Sequence, residues 1–196
     1  AFGRIALYKN TVGGSNTSIG QGSMYYNVSG TGNVAVGSGT MSSNCGGCYN
    51  TAVGNSALQS AKYTCCNTVV GYGASYTNTI GAKNVVMGYN AFYYNTEGNY
   101  NTALGTIAMH LNTTGGNNTA TGYAALYDNT TGVGNAAYGF CSVVNNTTGG
   151  YNVGVGCASL FTNITGSGNT GIGTCALATN NAGYNTAVGN HALRYN

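Results

Sequence analysis

Apolar residues recur along this chain at fixed places in a unit of seventeen residues. Aligned on the phrase N-T-A-V-G, the unit starts at Asn16, Asn33, Asn50, Asn67, Asn84, Asn101, Asn118, Asn135, Asn152 and Asn169, every step being seventeen. The next copy, at Asn185, follows after sixteen, and a partial copy, Phe2-Gly3-Arg4-Ile5-Ala6-Leu7, precedes the first. The idealised unit reads N-T-A-V-G-x-x-A-L-x-x-N-T-T-G-x-x. Twelve copies, one of them partial, fill residues 1–196 as a single repeat domain without a linker. Such a domain is expected to be a segment of a longer fibrous protein.

Two columns carry the large apolar residues. Position four holds Ile19, Val36, Val53, Val70, Met87, Leu104, Val155, Ile172 and Val188; position nine holds Leu7, Met24, Met41, Leu58, Phe92, Met109, Leu126, Val143, Leu160, Leu177 and Leu193, with Ser75 the exception. Strand side chains alternate between faces. Positions two and four are therefore expected to face the core, and position three to face away. Position nine has the opposite parity, so the chain must change phase between the columns. Position five does this. It is Gly in all twelve copies, from Gly3 through Gly20, Gly37, Gly54, Gly71, Gly88, Gly105, Gly122, Gly139, Gly156 and Gly173 to Gly189. Position fifteen is Gly in ten of eleven copies, Thr64 being the exception, and marks a second turn. Positions one and twelve are Asn, with Ala61 the single departure. Asn suits turns, and stacked identical amides can also hydrogen-bond up a column.

Recurrent Gly and Asn leave no stretch long enough for a stable helix, and paired-helix repeats need about 33 residues or more. The pattern predicts an all-β, parallel β-solenoid (a β-roll or β-helix) with twelve 17-residue rungs and two short strands per rung. The persistent small residues at positions three and eight (Ala52, Ala103, Ala57, Ala125) suggest that another surface packs against position three. Ordinary repeat units at both ends of the chain point the same way. Self-association, as a homo-oligomer or an end-to-end filament, is the expected partnership.

Composition narrows the function. Only 4% of residues are charged, against roughly 25% in a typical soluble domain. Glu97 and Asp128 are the only acids, and His110 and His191 the only imidazoles. That leaves little material for acid–base catalysis, so no catalytic residue, metal ligand or cofactor is expected. A net charge of +3 scattered along the chain makes no nucleic-acid footprint. No apolar run approaches the ~20 residues of a membrane-spanning helix.

The phrases Asn50-Thr51-Ala52-Val53-Gly54-Asn55-Ser56-Ala57-Leu58 and Asn185-Thr186-Ala187-Val188-Gly189-Asn190-His191-Ala192-Leu193 carry a family likeness. They resemble the N-T-A-V-G-x-x-A-L repeats of tail-fibre-like proteins of phages and giant viruses and of bacterial surface proteins. They are more distantly similar to the β-roll head repeats of trimeric autotransporter adhesins, whose repeat is shorter. The resemblance implies an elongated, often trimeric object outside the cell or on a cell or virion surface.

Several residues invite more specific chemistry. Cys48 and Cys65 share a position in adjacent rungs, and stacking would bring their α-carbons within disulfide range. With Cys45 and Cys66 nearby, the alternatives are free thiols or a four-thiolate zinc site. Cys141, Cys157 and Cys175 read as small space-filling hydrophobes. The N-T-T-G turn creates glycosylation acceptors at Asn27, Asn112, Asn129, Asn146 and Asn163, with Asn16, Asn117 and Asn145 elsewhere. Tyrosines at position ten (Tyr8, Tyr25, Tyr76, Tyr93, Tyr127) form either a stacking ladder or a glycan-binding surface. The expected function is a structural shaft or subunit of an extracellular fibre or fibril. A glycan- or receptor-binding adhesin module is the alternative, and an ice-binding solenoid a third.

Overall fold

In the computed structural model, which describes residues 1–195, the chain is a parallel β-solenoid with one strand per rung. The strands are β1 (Thr17–Ile19), β2 (Val34–Val36), β3 (Thr51–Val53), β4 (Thr68–Val70), β5 (Val85–Met87), β6 (Thr102–Leu104), β7 (Thr119–Thr121), β8 (Ala136–Tyr138), β9 (Val153–Val155), β10 (Thr170–Ile172) and β11 (Thr186–Val188). Each pairs in parallel with its sequence neighbours, giving one sheet in the order β1 to β11. Like positions face each other throughout, as in Thr102↔Thr119 and Leu104↔Thr121. A single bridge, Phe2↔Ile19, adds the partial first copy. Asn196, the last member of the position-twelve column, lies outside the described residues.

The second expected strand is absent, and two consecutive turns replace it. The position-eight N–H donates to the position-five carbonyl, as from Ala108 to Gly105 at 3.3 Å. The position-twelve N–H then donates to the position-nine carbonyl, as from Asn112 to Met109 at 3.1 Å. Residues at positions seven and nine take positive φ even when they are not Gly, including Ile107 (50°), Met109 (49°), Leu126 (52°) and Val143 (51°). Left-handed backbone of this kind is uncommon for branched or bulky residues. Composition could not announce it. Rungs remain bonded here, since Met109 N–H reaches Ala125 O at 2.9 Å and Leu111 N–H reaches Tyr127 O at 3.0 Å.

The position-five glycines behave as their invariance suggests. Their φ values lie between +122° and +145°, a region other residues rarely occupy. A Cβ added at Gly105 would stand 2.4 Å from Gly122 O and 2.7 Å from Gly122 C. Backbone passes over backbone at this corner, rung after rung.

The parity of the strands is the reverse of the sequence expectation. Position three is buried in every strand, while positions two and four are half-buried or exposed. The core therefore consists of small residues at positions three and eight packed against one large residue at position nine, such as Ala103, Ala108 and Met109. A Cβ at Gly154 would approach Val143 Cγ2 to 2.4 Å, and one at Gly171 would approach Leu160 Cγ to 3.3 Å. Most rungs hold one large side chain inside. The smallness of positions three and eight thus reflects a narrow core, not a neighbouring chain. The departures lie together: Ser75 is the polar exception at position nine and Val69 stands at position three of its rung, while in the next rung Val86 and Phe92 are both buried.

Both Asn columns are buried ladders. At position one, Asn135 N–H and Nδ2–H donate to Asn118 Oδ1 at 2.9 and 3.2 Å, and Nδ2 also reaches Gly149 O at 2.8 Å. At position twelve, Asn129 Nδ2 donates to Asn112 Oδ1 at 2.7 Å and to Gly132 O at 3.1 Å. A buried amide with all its groups satisfied stabilises the stack, and its removal would orphan its partners at about 1–3 kcal/mol each.

The position-fifteen glycines make room for these amides. A Cβ there would meet its own rung's Asn Oδ1 at 2.2–2.7 Å. Thr64 stands in the one rung that carries Ala61 and so has no amide of its own to strike. In the sixteen-residue rung the deletion falls in the second turn, and Ala182, not Gly183, occupies position fifteen, its carbonyl accepting Asn169 Nδ2 at 2.8 Å. Asn181 Oδ1 there accepts the N–H groups of Ile164 and Thr165 at 2.8 and 2.9 Å. In regular rungs a main-chain carbonyl does this, as Thr130 O does for Thr113 and Thr114. An Asn side chain replaces the missing peptide group.

Candidate functional site

The exterior presents three sets of side chains that could carry function: aromatic stacks, a cysteine cluster and the outer face of the sheet. Position ten forms a continuous stack across four rungs. Tyr76 and Tyr93 lie 4.9 Å apart between ring centroids, Tyr93 and His110 5.5 Å, and His110 and Tyr127 5.2 Å. Tyr94 packs edge-on against both Tyr93 and His110. Burial pushes the Tyr93 phenol above its ordinary range, with Tyr76 and Tyr94 adding to the effect. His110 belongs to this ladder, since it stands at position ten of its rung. Its Nδ1 lies 2.8 Å from Asn90 O, which fixes the ring. Tyr8 and Tyr25 stack separately at 5.3 Å. Sugars pack on ring faces, and in these ladders the interior faces are already turned toward one another. Ring edges and the outer faces of the end rings are what remains.

Cys48 and Cys65 are parallel bridge partners, directly in register. Both thiols are free, as are those of Cys45, Cys66, Cys141, Cys157 and Cys175. Cys48 Sγ lies 3.4 Å from Gly46 O. Among the described residues, no group of three or more Cys, His, Asp and Glu is placed to hold a metal ion. Neighbouring strands stand about 4.8 Å apart, inside the 4.4–6.8 Å range of disulfide α-carbons. Mild oxidation is expected to join Cys48 to Cys65. Non-reducing peptide mapping of oxidised protein checks this, and recovery of both as unmodified thiols would rule it out.

The acceptor asparagines at position twelve must be corrected. Asn27, Asn112, Asn129, Asn146 and Asn163 are all fully buried, and each Nδ2 is committed to the ladder or to a turn carbonyl. The sequon is present but its location is not the surface, because the same amide that begins N-T-T builds the core. Asn16 donates Nδ2 to Gly30 O at 2.7 Å, Asn145 is half-buried, and Asn117 is exposed. Expressed in a glycosylating host, the chain is expected to carry a glycan at Asn117 and none at the five position-twelve sites. Mass spectrometry after enzymatic deglycosylation reads this directly.

The acids form no catalytic pair. Burial alone raises the Asp128 carboxyl above its usual range. Lys83 donates to Tyr100 OH at 2.8 Å and sits over its ring, and that hydrogen bond raises the ammonium's pKa. One shallow depression of about 220 Å³ lies near the C-terminal end, lined by Ala158, Phe161, Thr162, Cys175, Ala178, Thr179 and Arg194. It is smaller than the roughly 300–1,000 Å³ of sites that enclose small molecules. No helix is long and apolar enough to cross a membrane among the described residues.

The outer sheet face holds positions two and four, which sequence parity assigns to the core, and so sequence reasoning misses it as a surface. Reading the persistently small position three as the inward column would have found it. No protein-family model matches the chain, and no curated protein or solved structure shows significant similarity to it.

Proposed function

We propose that this chain is a shaft, a structural segment of an extracellular fibre or surface fibril, and that it performs no catalysis. The observation that carries this reading is the unbroken parallel stack from β1 to β11, in constant register and with every rung serving its neighbours. At about 4.8 Å per strand the stack extends about 50 Å. Rungs of this kind cannot bury their apolar residues alone and draw stability from the rungs above and below. Such an object transmits length and stiffness. It has no need of charge, and the scarcity of ionisable groups follows.

Electron microscopy of the native full-length material, together with fibre diffraction of aligned specimens, tests the proposal. Elongated particles with a reflection near 4.8 Å along the long axis are expected. Isolated globular particles would overturn it. A second reading, adsorption to ice, is favoured by one observation: position two points outward and holds Thr17, Thr51, Thr68, Thr102, Thr119, Thr170 and Thr186. Val34, Val85, Ala136 and Val153 interrupt that column. An ice-recrystallisation assay separates the two readings.

A further inference from the structure

We propose that the outer face of the sheet is a pairing surface for a second copy of this chain, laid face to face about a two-fold axis. The inference deepens the shaft reading, on which it rests for its biological setting, by giving the shaft a lateral partner and a defined seam.

The first and third residues of all eleven strands point outward and none is charged. Large apolar side chains stand open among them, with Met87 53% and Tyr138 43% exposed, and Val70 and Leu104 partly so. Parallel sheets normally have both faces covered, because their strands are apolar on both sides. Here one side faces the narrow core and the other faces nothing within the chain.

Size and spacing select the occupant. Eleven strands at about 4.8 Å, each three residues long at about 3.3 Å per residue, form a face of about 50 by 10 Å, or about 500 Å². Two such faces together bury about 1,000 Å², the least expected of a biological interface and the size of a weak, reversible one. The face is corrugated at the strand spacing along its whole length. A second copy shares this spacing and the same length of face. Side chains of two such faces can interdigitate dry, as paired sheets do in steric zippers. A two-fold arrangement makes the contact self-complementary and closed, so it yields pairs and not an open lateral aggregate.

Sedimentation velocity on the purified chain, with variants, tests the seam. The wild type is expected to be a dimer at tens of micromolar. Leu104→Lys and Val70→Lys, both outward on central strands, should each weaken dimerisation at least about tenfold, through burial of an unpaired charge. Thr114→Lys, at an exposed turn position, should leave it unchanged. Circular dichroism confirms that each variant is folded. Should a Lys variant fail to fold, hydroxyl-radical footprinting of the wild type across a concentration series gives the same answer. Met87 and Tyr138 should become protected as concentration rises, while Tyr63 and Tyr195, exposed elsewhere, should not. A wild-type monomer of 19.7 kDa at tens of micromolar would overturn the proposal. So would a dimer indifferent to both face variants, or Met87 and Tyr138 labelled equally at all concentrations. If pairing fails while native material is still fibrous, the shaft reading stands alone; dimers without fibres give the converse.

Discussion

Gly105→Val is expected to unfold the solenoid locally and to lower its melting temperature sharply, while Thr106→Val leaves it nearly unchanged. Gly105 has φ +136°, a backbone state that costs a non-glycine residue about 1–3 kcal/mol. Space adds to the penalty. The new Cβ would sit 2.4 Å from Gly122 O, and both γ-methyls would extend a clash with main chain that cannot rotate away. Overpacking of a tight site typically adds about 1–3 kcal/mol, so a total of about 2–6 kcal/mol is expected. The strain cannot be relieved locally, because Gly122 lies beneath Gly139 in the same way. Thr106 is exposed at the adjacent position, where Arg4, Tyr72 and Cys157 occupy equivalent rungs. Thermal melts followed by circular dichroism decide the matter, and equal midpoints for the two variants would show that position five is not a special backbone site.

The second large effect is a reversal of sign. Restoring the repeat consensus at one site, Ala61→Asn, is expected to destabilise the protein; restoring two, Ala61→Asn with Thr64→Gly, is expected to leave it at or above wild-type stability. In the regular rungs a Cβ at position fifteen would lie 2.2–2.7 Å from the Asn Oδ1 of its own rung. The amide introduced by Ala61→Asn would meet the Cβ of Thr64 in the same way, an overpacking cost of about 1–3 kcal/mol. Once Thr64→Gly removes that Cβ, the amide fits and can accept from Asn78 Nδ2, which now donates only to Gly81 O at 2.9 Å. The double change also removes Thr64 Oγ1, a buried hydroxyl without a hydrogen-bond partner, worth about 1–3 kcal/mol. A double-mutant cycle by chemical denaturation should give a coupling energy of about 2 kcal/mol or more, well beyond the few tenths seen for independent sites. Additive effects would mean that Ala61 and Thr64 are unrelated departures from the pattern.

That cycle also locates what a one-dimensional reading can and cannot reach. The seventeen-residue period, the parallel stacking of like positions and the absence of helix follow from the recurrence of Gly and Asn alone. A period that short admits no paired helices, and identical positions in successive units must lie above one another. The amide ladders were one of two readings the sequence offered, since an Asn column also suits turns; the bonds from Asn135 to Asn118 and from Asn129 to Asn112 show the ladder. The number of strands per rung was not legible. Leu126 and Met109 look like strand residues, and only the closure of two tight turns forces them into left-handed backbone.

Burial direction was beyond the sequence for a related reason. Alternation along Thr102-Ala103-Leu104 states that two residues share a face, and leaves open which face is inside. Bulk argued for Leu104. The tertiary structure decided for Ala103, which is buried in the same core as Met109 and its column, while Leu104 faces out. The same geometry took the position-twelve asparagines from the surface to the core. It also placed the small residues of position three against their own chain, and left the apolar residues of position four outside, where only a further surface can cover them. Periodicity fixes which residues stack; the width of the enclosed space decides which of them are buried.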